Sequence, residues 1–143
     1  MPPCCQLQSS KERKYPVKIR LTSVFVNDQE KALRFYTQIL GFEKKTDIPM
    51  GKDRWLTVVS PEGPSDVELL LEPMGFDPAK TYQKALFDAG IPLASFGVDD
   101  IENEHARLEK QGVRFKTKPT KMGPVTVAVL DDTCGNLIQI VQA

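Results

Sequence analysis

Residues 24–42, VFVNDQEKALRFYTQILGF, decide the fold, because a short apolar strand runs directly into an amphipathic helix that ends at a glycine. The same features return in the same order at residues 96–115, FGVDDIENEHARLEKQGVRF. Asn27 and Asp99 are predicted N-caps, because each is followed three residues later by a glutamate that can complete a capping box. The repeat indicates two copies of one module.

Three β-like stretches follow each helix. Gly41 and Gly112 are predicted to end the helices, because glycine adopts the left-handed C-terminal conformation without strain. The stretches after them are 42–48, 54–60 and 66–72 in the first half, and 113–117, 124–131 and 136–141 in the second. A short helix over about residues 79–88 is expected between the halves. Each half therefore reads β-α-β-β-β.

These elements predict an α+β fold in which two β-α-β-β-β modules with curled mixed sheets form a shared cleft. The expected organisation is a disordered N-terminal arm (1–16), a first module (17–73), a connecting segment with a short helix (74–91) and a second module (92–143). Because small modules often bury their sheet edges by association, we expect a homodimer. Whether modules pair within a chain or are exchanged between chains stays open.

Composition excludes several classes of partner. The 143 residues carry 19 basic and 19 acidic side chains, and no basic run is long enough to predict nucleic-acid binding. No apolar stretch approaches the roughly 20 residues of a membrane span, and the N-terminus lacks the apolar region of a secretory signal. Cys4, Cys5 and Cys134 form no CxxC pair, which argues against a zinc site or disulfide scaffold. The expected location is the cytoplasm.

Two polar residues interrupt the apolar last strands of the two halves. Val26 and Val98 are 72 positions apart, and the second helix segment is one residue shorter, so residues after the helices should align at an offset of 71. On that offset Glu68 corresponds to Gln139. Because strand side chains alternate between faces, we expect both on the face that lines the cleft, away from the helices.

These motifs resemble the vicinal oxygen chelate superfamily, which groups glyoxalase I, extradiol dioxygenases, fosfomycin-modifying enzymes and bleomycin-resistance proteins. The resemblance covers residues 17–142 and includes the terminal hairpin at 127–142, VAVLDDTCGNLIQIVQ. It implies the fold described above. It implies little about the reaction, since one fold hosts many functions.

The resemblance also implies four metal-ligand positions, a histidine on the first strand of each module and a glutamate on the last strands. Carried over one by one, they fall on Leu21, Glu68, Leu93 and Gln139. Leucine offers no lone pair, and His105, the one histidine of the chain, is predicted on a helix away from the cleft. We therefore expect no metal and no cofactor.

The remaining candidates have a functional and a structural interpretation. Glu68 is either a general base or a carboxylate satisfied by neighbours, and Gln139 is either a ligand contact or its structural partner. Trp55 could stack on a flat ligand or belong to the core. We expect Glu72 to be solvated, Arg54 to be a surface residue, His105 to pack on the sheet and Cys134 to lack a base that would make it a nucleophile.

The leading functional hypothesis is a protein that binds a small aromatic or amphipathic molecule in a metal-free cleft, using Glu68, Gln139, Trp55, Leu21 and Leu93. One alternative is a metal-independent isomerase or lyase with Glu68 as its base. Another is a metal-dependent lyase or dioxygenase with an unusual ligand set. A pure interaction module is the last.

Overall fold

A computed structural model describes residues 16–143; the N-terminal residues with Cys4 and Cys5 lie outside that range. The first half contains β1 (Leu21–Val26), α1 (Gln29–Arg34) with a π-helical continuation (Phe35–Ile39), β2 (Glu43–Met50), β3 (Asp53–Val59) and β4 (Glu68–Pro73). Helix α2 (Asp77–Ala89) connects it to β5 (Ala94–Gly97), α3 (Ile101–Lys110), β6 (Phe115–Met122), β7 (Val125–Asp131) and β8 (Leu137–Gln142).

The strands form two four-stranded sheets of the same topology, in the orders β1-β4-β3-β2 and β5-β8-β7-β6. The pairs β1–β4 and β5–β8 are parallel, and all other neighbours are antiparallel. Neither sheet closes on itself. The predicted α+β fold with two β-α-β-β-β modules is confirmed.

The predicted N-caps are wrong by one residue. The caps are Asp28 and Asp100, whose carboxylates accept from the backbone N–H groups of Lys31 at 3.0 Å and Asn103 at 3.1 Å. The preceding Asn27 lies between β1 and the cap and donates its backbone N–H to the carbonyl of Cys134, 3.2 Å away. Since no glutamate follows three residues after either true cap, the expected capping boxes do not form.

One hydrophobic core serves both modules. Apolar side chains on the helix-facing side of each sheet pack with α1 and α3, and they include Val24, Leu56, Leu71, Leu130 and Ile138. The opposite side of the first sheet remains open, with Leu21 43% and Trp55 38% exposed. The helix-facing sides therefore hold the fold together, and the other sides are available for binding.

A buried polar network joins the two modules at the turn between β7 and β8. The carboxylate of Asp132 accepts from the hydroxyl of Tyr36 at 2.6 Å, from the side chain of Asn136 at 2.8 Å, and from the backbone N–H groups of Cys134 and Asn136 at 2.7 and 3.0 Å. Asn136 and Gln83 each donate to the carbonyl of Phe25 at the end of β1, at 2.7 and 2.8 Å. Residues distant in sequence thus meet at one carboxylate.

Burial shifts the titration of the network. Loss of hydration raises the pKa of Asp132 against the lowering effect of its four donors. Burial, followed by the nearby Asp132 carboxylate, holds the pKa of Tyr36 well above its usual value. Gly135 has φ +101°, and a Cβ there would lie 2.6 Å from the side-chain oxygen of Gln83, so glycine is required on both counts.

We predict that Tyr36→Phe destabilises the protein, because it removes a donor from a buried carboxylate. Hydrogen bonds to charged groups contribute about 1.5–3 kcal/mol, so we expect the free energy of unfolding to fall by that amount in urea titrations at pH 7. Tyr82→Phe on the exposed face of α2 is the matched control, and we expect a change within about 0.5 kcal/mol.

The free energy of unfolding lost in Tyr36→Phe should be smaller near pH 4 than at pH 7. A group with a raised folded-state pKa favours the folded state below its unfolded pKa, and this contribution is lost as pH rises through the folded pKa. Asp132 is such a group, so its ionised carboxylate disfavours the folded state at pH 7. The hydrogen bond from the Tyr36 hydroxyl opposes this effect and therefore contributes most to stability at that pH. Equal effects of Tyr36→Phe and Tyr82→Phe at pH 7 would contradict this account of the network.

Candidate functional site

The open face of the first sheet forms a groove of about 620 Å³. Alternation of strand side chains places Leu21 and Phe25 of β1, Trp55 of β3 and Leu70 of β4 on this face, and Phe76 before α2 adds a third aromatic ring. The groove has the size of a small-molecule site, and its walls are mainly apolar. We call it the β1–β3 groove.

Glu68 lies outside this groove. Its carboxylate accepts a hydrogen bond from the hydroxyl of Thr57 at 2.7 Å, and the ammonium of Lys45 lies 3.5 Å from its other oxygen. It lines a smaller cavity of about 210 Å³, shared with Phe42 of the first module and Ser95 of the second. The structural interpretation, a carboxylate satisfied by its neighbours, therefore fits these contacts.

Gln139 faces the same way as predicted, but it is not the counterpart of Glu68. It lies opposite Ser95 on β5 and donates to the Ser95 hydroxyl at 2.9 Å. Ser95 corresponds to Ser23, because the two are 72 positions apart, like Val98 and Val26. Ser23 lies opposite Leu70, so the counterpart of Gln139 is Leu70, two residues after Glu68. The predicted offset of 71 is thus wrong by two residues. A shift of two keeps the face of a strand, which is why the facing was right.

Of the other predicted residues, Leu21 and Trp55 lie together in the groove and Leu93 does not. Leu93 donates its backbone N–H to the carbonyl of Leu137 at 2.8 Å, and its side chain packs against the common core. The groove contains two of the five predicted ligand-binding residues. It adds Met50, Leu70, Glu72 and Phe76, among others.

Arg54 borders the groove, but its guanidinium is already paired. It donates to both carboxylate oxygens of Asp47, at 3.0 and 2.7 Å, and to Glu30 at 2.8 Å. The hydrogen bond from Arg54 lowers the pKa of Asp47 to about 2. These bonds join β3 to β2 and α1, so Arg54 is a structural cation. Glu72, expected to be solvated, is half-buried and lines the groove.

His105 and Cys134 have structural surroundings. His105 lies on α3 with its ring edge-on to Phe115 at 4.4 Å between ring centres, and its Nε2 atom is 3.5 Å from a carboxylate oxygen of Glu109. It packs against the sheet as predicted. Burial and the neighbouring Asp132 raise the pKa of the Cys134 thiol to about 12, so the thiol stays protonated at neutral pH and is a poor nucleophile.

Two negative observations concern residues 16–143 alone. No helix there is long and apolar enough to cross a membrane. No group of three or more His, Cys, Asp or Glu side chains in that range is arranged to hold a metal ion.

Comparisons with known proteins agree on one family. The model of the Glyoxalase/Bleomycin resistance protein/Dioxygenase superfamily matches residues 18–140. The chain is 60% identical over 126 residues to the uncharacterized protein YurT of Bacillus subtilis (strain 168), covering 88% of this chain and 99% of that protein.

Solved structures with the same fold are similar over most of the chain. UcmS2 is similar with a TM-score of 0.77 and 29% identity, covering 89% of this chain and 98% of that chain. TnmS3, an antibiotic binding protein from Streptomyces sp. CB03234, is similar with a TM-score of 0.70 and 30% identity, covering 88% of this chain and 95% of that chain.

Proposed function

The chain belongs to the Glyoxalase/Bleomycin resistance protein/Dioxygenase superfamily, and we propose that it binds a small aromatic or amphipathic molecule in the β1–β3 groove without a metal ion. The observation that carries the proposal is the groove itself, which Leu21 lines together with the rings of Phe25 and Trp55. The resemblance implies a metal ligand at the position of Leu21, where this chain has an apolar side chain. Similarity to the antibiotic binding protein TnmS3 supports a binding role. A cytoplasmic location is part of the same proposal.

The residues present do not suit the divalent metal that the family implies. Glu68 is the one carboxylate among the four positions, and its oxygens already face Thr57 and Lys45. Its strand neighbour at the first histidine position is Leu21, which has no lone pair to donate. Gln139 offers a neutral amide that is bonded to Ser95. We therefore derive no chemistry through a metal.

The same contacts weigh against Glu68 as a general base. A catalytic base must reach the proton that it removes, and its pKa must suit the reaction. Glu68 is held by Thr57 outside the apolar groove, and the ammonium of Lys45 lies 3.5 Å from its other carboxylate oxygen. Binding without catalysis needs neither condition.

A homodimer is the assembly we propose. Support comes from the apolar side chains left open on the first sheet, with Ile48 53% and Met50 59% exposed on the same face as Trp55. Contiguous exposed apolar surface of this kind is typical of interaction sites. A second copy resting beside the groove would reduce this exposure and leave space for a ligand between the copies.

Trp55 is the residue whose loss should weaken binding most. We expect the neutral dye N-phenyl-naphthylamine to bind saturably with a fluorescence increase, and Trp55→Ala to weaken its affinity at least about tenfold, because a large flat contact is removed. Tyr82→Ala removes an exposed ring from α2 and serves as the control. Absence of saturable binding, or equal affinities for both variants, would overturn the groove as the site.

Metal addition should leave stability unchanged. A metal bound only by the folded state stabilises it by about 2.7 kcal/mol when it is present at roughly a hundredfold excess over Kd. We expect tag-free protein to unfold at the same temperature with EDTA as with zinc, nickel, manganese or ferrous ions. A rise of several degrees that Glu68→Ala removes would favour the metal-dependent alternative.

Ile48→Lys should shift the protein toward monomers in sedimentation equilibrium, because it places a charge on the apolar face. Ile91→Lys is the matched control, since Ile91 is 49% exposed just after α2 and is not among the residues that line the groove. A wild-type chain that sediments as a monomer at all concentrations would refute the homodimer.

A further inference from the structure

The β1–β3 groove carries an uncompensated negative charge beside its aromatic walls. Glu72 on β4 is half-buried opposite Phe25. Within residues 16–143, no basic side chain lies within 4.0 Å of the Glu72 carboxylate, the distance that defines an ion pair. Asp53 lines the same groove and likewise makes no ion pair with a described residue. Two carboxylates therefore face an apolar space without a partner.

Arg54 does not neutralise them. It is the one basic residue among those that line the groove, all of which belong to the described part of the chain. Its guanidinium is directed at Asp47 and Glu30. Those two carboxylates also pair with Lys44 at 3.3 Å and Arg34 at 3.6 Å, so Arg54 belongs to a compensated cluster at the border of the groove, whereas Asp53 and Glu72 make no ion pair with a described residue. Apolar walls strengthen the resulting field, because they exclude the water that would screen it.

The contrast with Glu68 shows that Glu72 is distinctive. Both carboxylates lie on β4 and on the same face, four residues apart. The Glu68 carboxylate accepts a hydrogen bond from the Thr57 hydroxyl, and the Lys45 ammonium lies 3.5 Å from its other oxygen. Its charge is therefore compensated within the protein. Glu72 has Phe25 as its strand neighbour instead. No described side chain forms an ion pair with Glu72, so its carboxylate is available to a charged ligand.

We propose that the ligand of this groove is an organic cation, a flat apolar body bearing one protonated amine, with Glu72 as its counter-ion. The proposal rests on the proposed binding function and names the ligand class. The apolar body of the ligand packs against the rings of Phe25, Trp55 and Phe76. An ammonium group near the faces of these rings gains a cation–π contribution in addition to its ion pair with the Glu72 carboxylate. Anionic molecules of the same shape are rejected by the same charges.

The test compares three probes of one shape and different charge: naphthylmethylamine, naphthylmethanol and naphthylacetate. Trp55 is the single tryptophan of the chain, so its indole N–H gives one signal in a nitrogen–proton correlation spectrum and reports binding in the groove directly. At pH 7 and low salt we expect the amine to bind about tenfold more tightly than the alcohol, with the carboxylate weakest. High salt should reduce the preference.

Variants assign the preference to one residue. We expect Glu72→Gln to bring the amine to within about twofold of the alcohol while the affinity for the alcohol is unchanged, and Glu72→Lys to reverse the order so that the carboxylate binds more tightly than the amine. Glu68→Gln is the matched control on the same strand and should keep the preference for the amine. Thermal unfolding of each variant confirms that it is folded.

The outcomes separate the two proposals. If all three probes bind alike, or if Glu72→Gln keeps the preference for the amine, the cation proposal is wrong and the binding function stands. If no probe shifts the Trp55 signal, both are wrong.

Discussion

The structure depends on one buried carboxylate that is satisfied from several parts of the chain. Asp132 holds Tyr36 of the first module and Asn136 of its own turn, and Asn136 continues the network to Gln83 and to the carbonyl of Phe25. A buried charge without donors would cost several kcal/mol, so the modules cannot separate without exposing this group or leaving it unsatisfied. The network therefore fixes how the two halves meet.

This arrangement separates structure from binding. With the modules joined through their helix-facing sides, Leu56 and Leu71 are fully buried in the common core while Trp55 on the neighbouring position of β3 points outward. Phe25 links the two roles: its carbonyl accepts from the network, and its ring lines the groove. The position of the groove wall is thus set by the same hydrogen bonds that join the modules.

The sequence was sufficient for the elements that depend on local chemistry, and insufficient where long-range pairing decides. Helix-ending glycines and strand alternation predicted the modules and the face shared by Glu68 and Gln139, because both follow from backbone geometry. The pairing of Glu68 with Gln139 failed, since register is set by partner strands and two-residue shifts leave no trace in alternation. Gln83 and Asn136 gave no signal, because a polar residue in a helix or turn looks the same whether solvated or buried.

Glu68 and Glu72 lie on the same strand and differ in whether the protein compensates their charge. Leu21, the strand neighbour of Glu68, has no lone pair for a metal ion, and the Glu68 carboxylate is compensated by Lys45 and Thr57. Four residues further along the same strand, the Glu72 carboxylate lies beside apolar walls and makes no ion pair with a described residue. Under the proposal made above, a carboxylate without an ion-pair partner in an apolar groove is sufficient to select a cationic molecule, because a low local dielectric strengthens the attraction between the two charges. Compensation of Glu68 and the lack of compensation at Glu72 thus place the attraction for a cation at the aromatic end of the strand, where the groove lies.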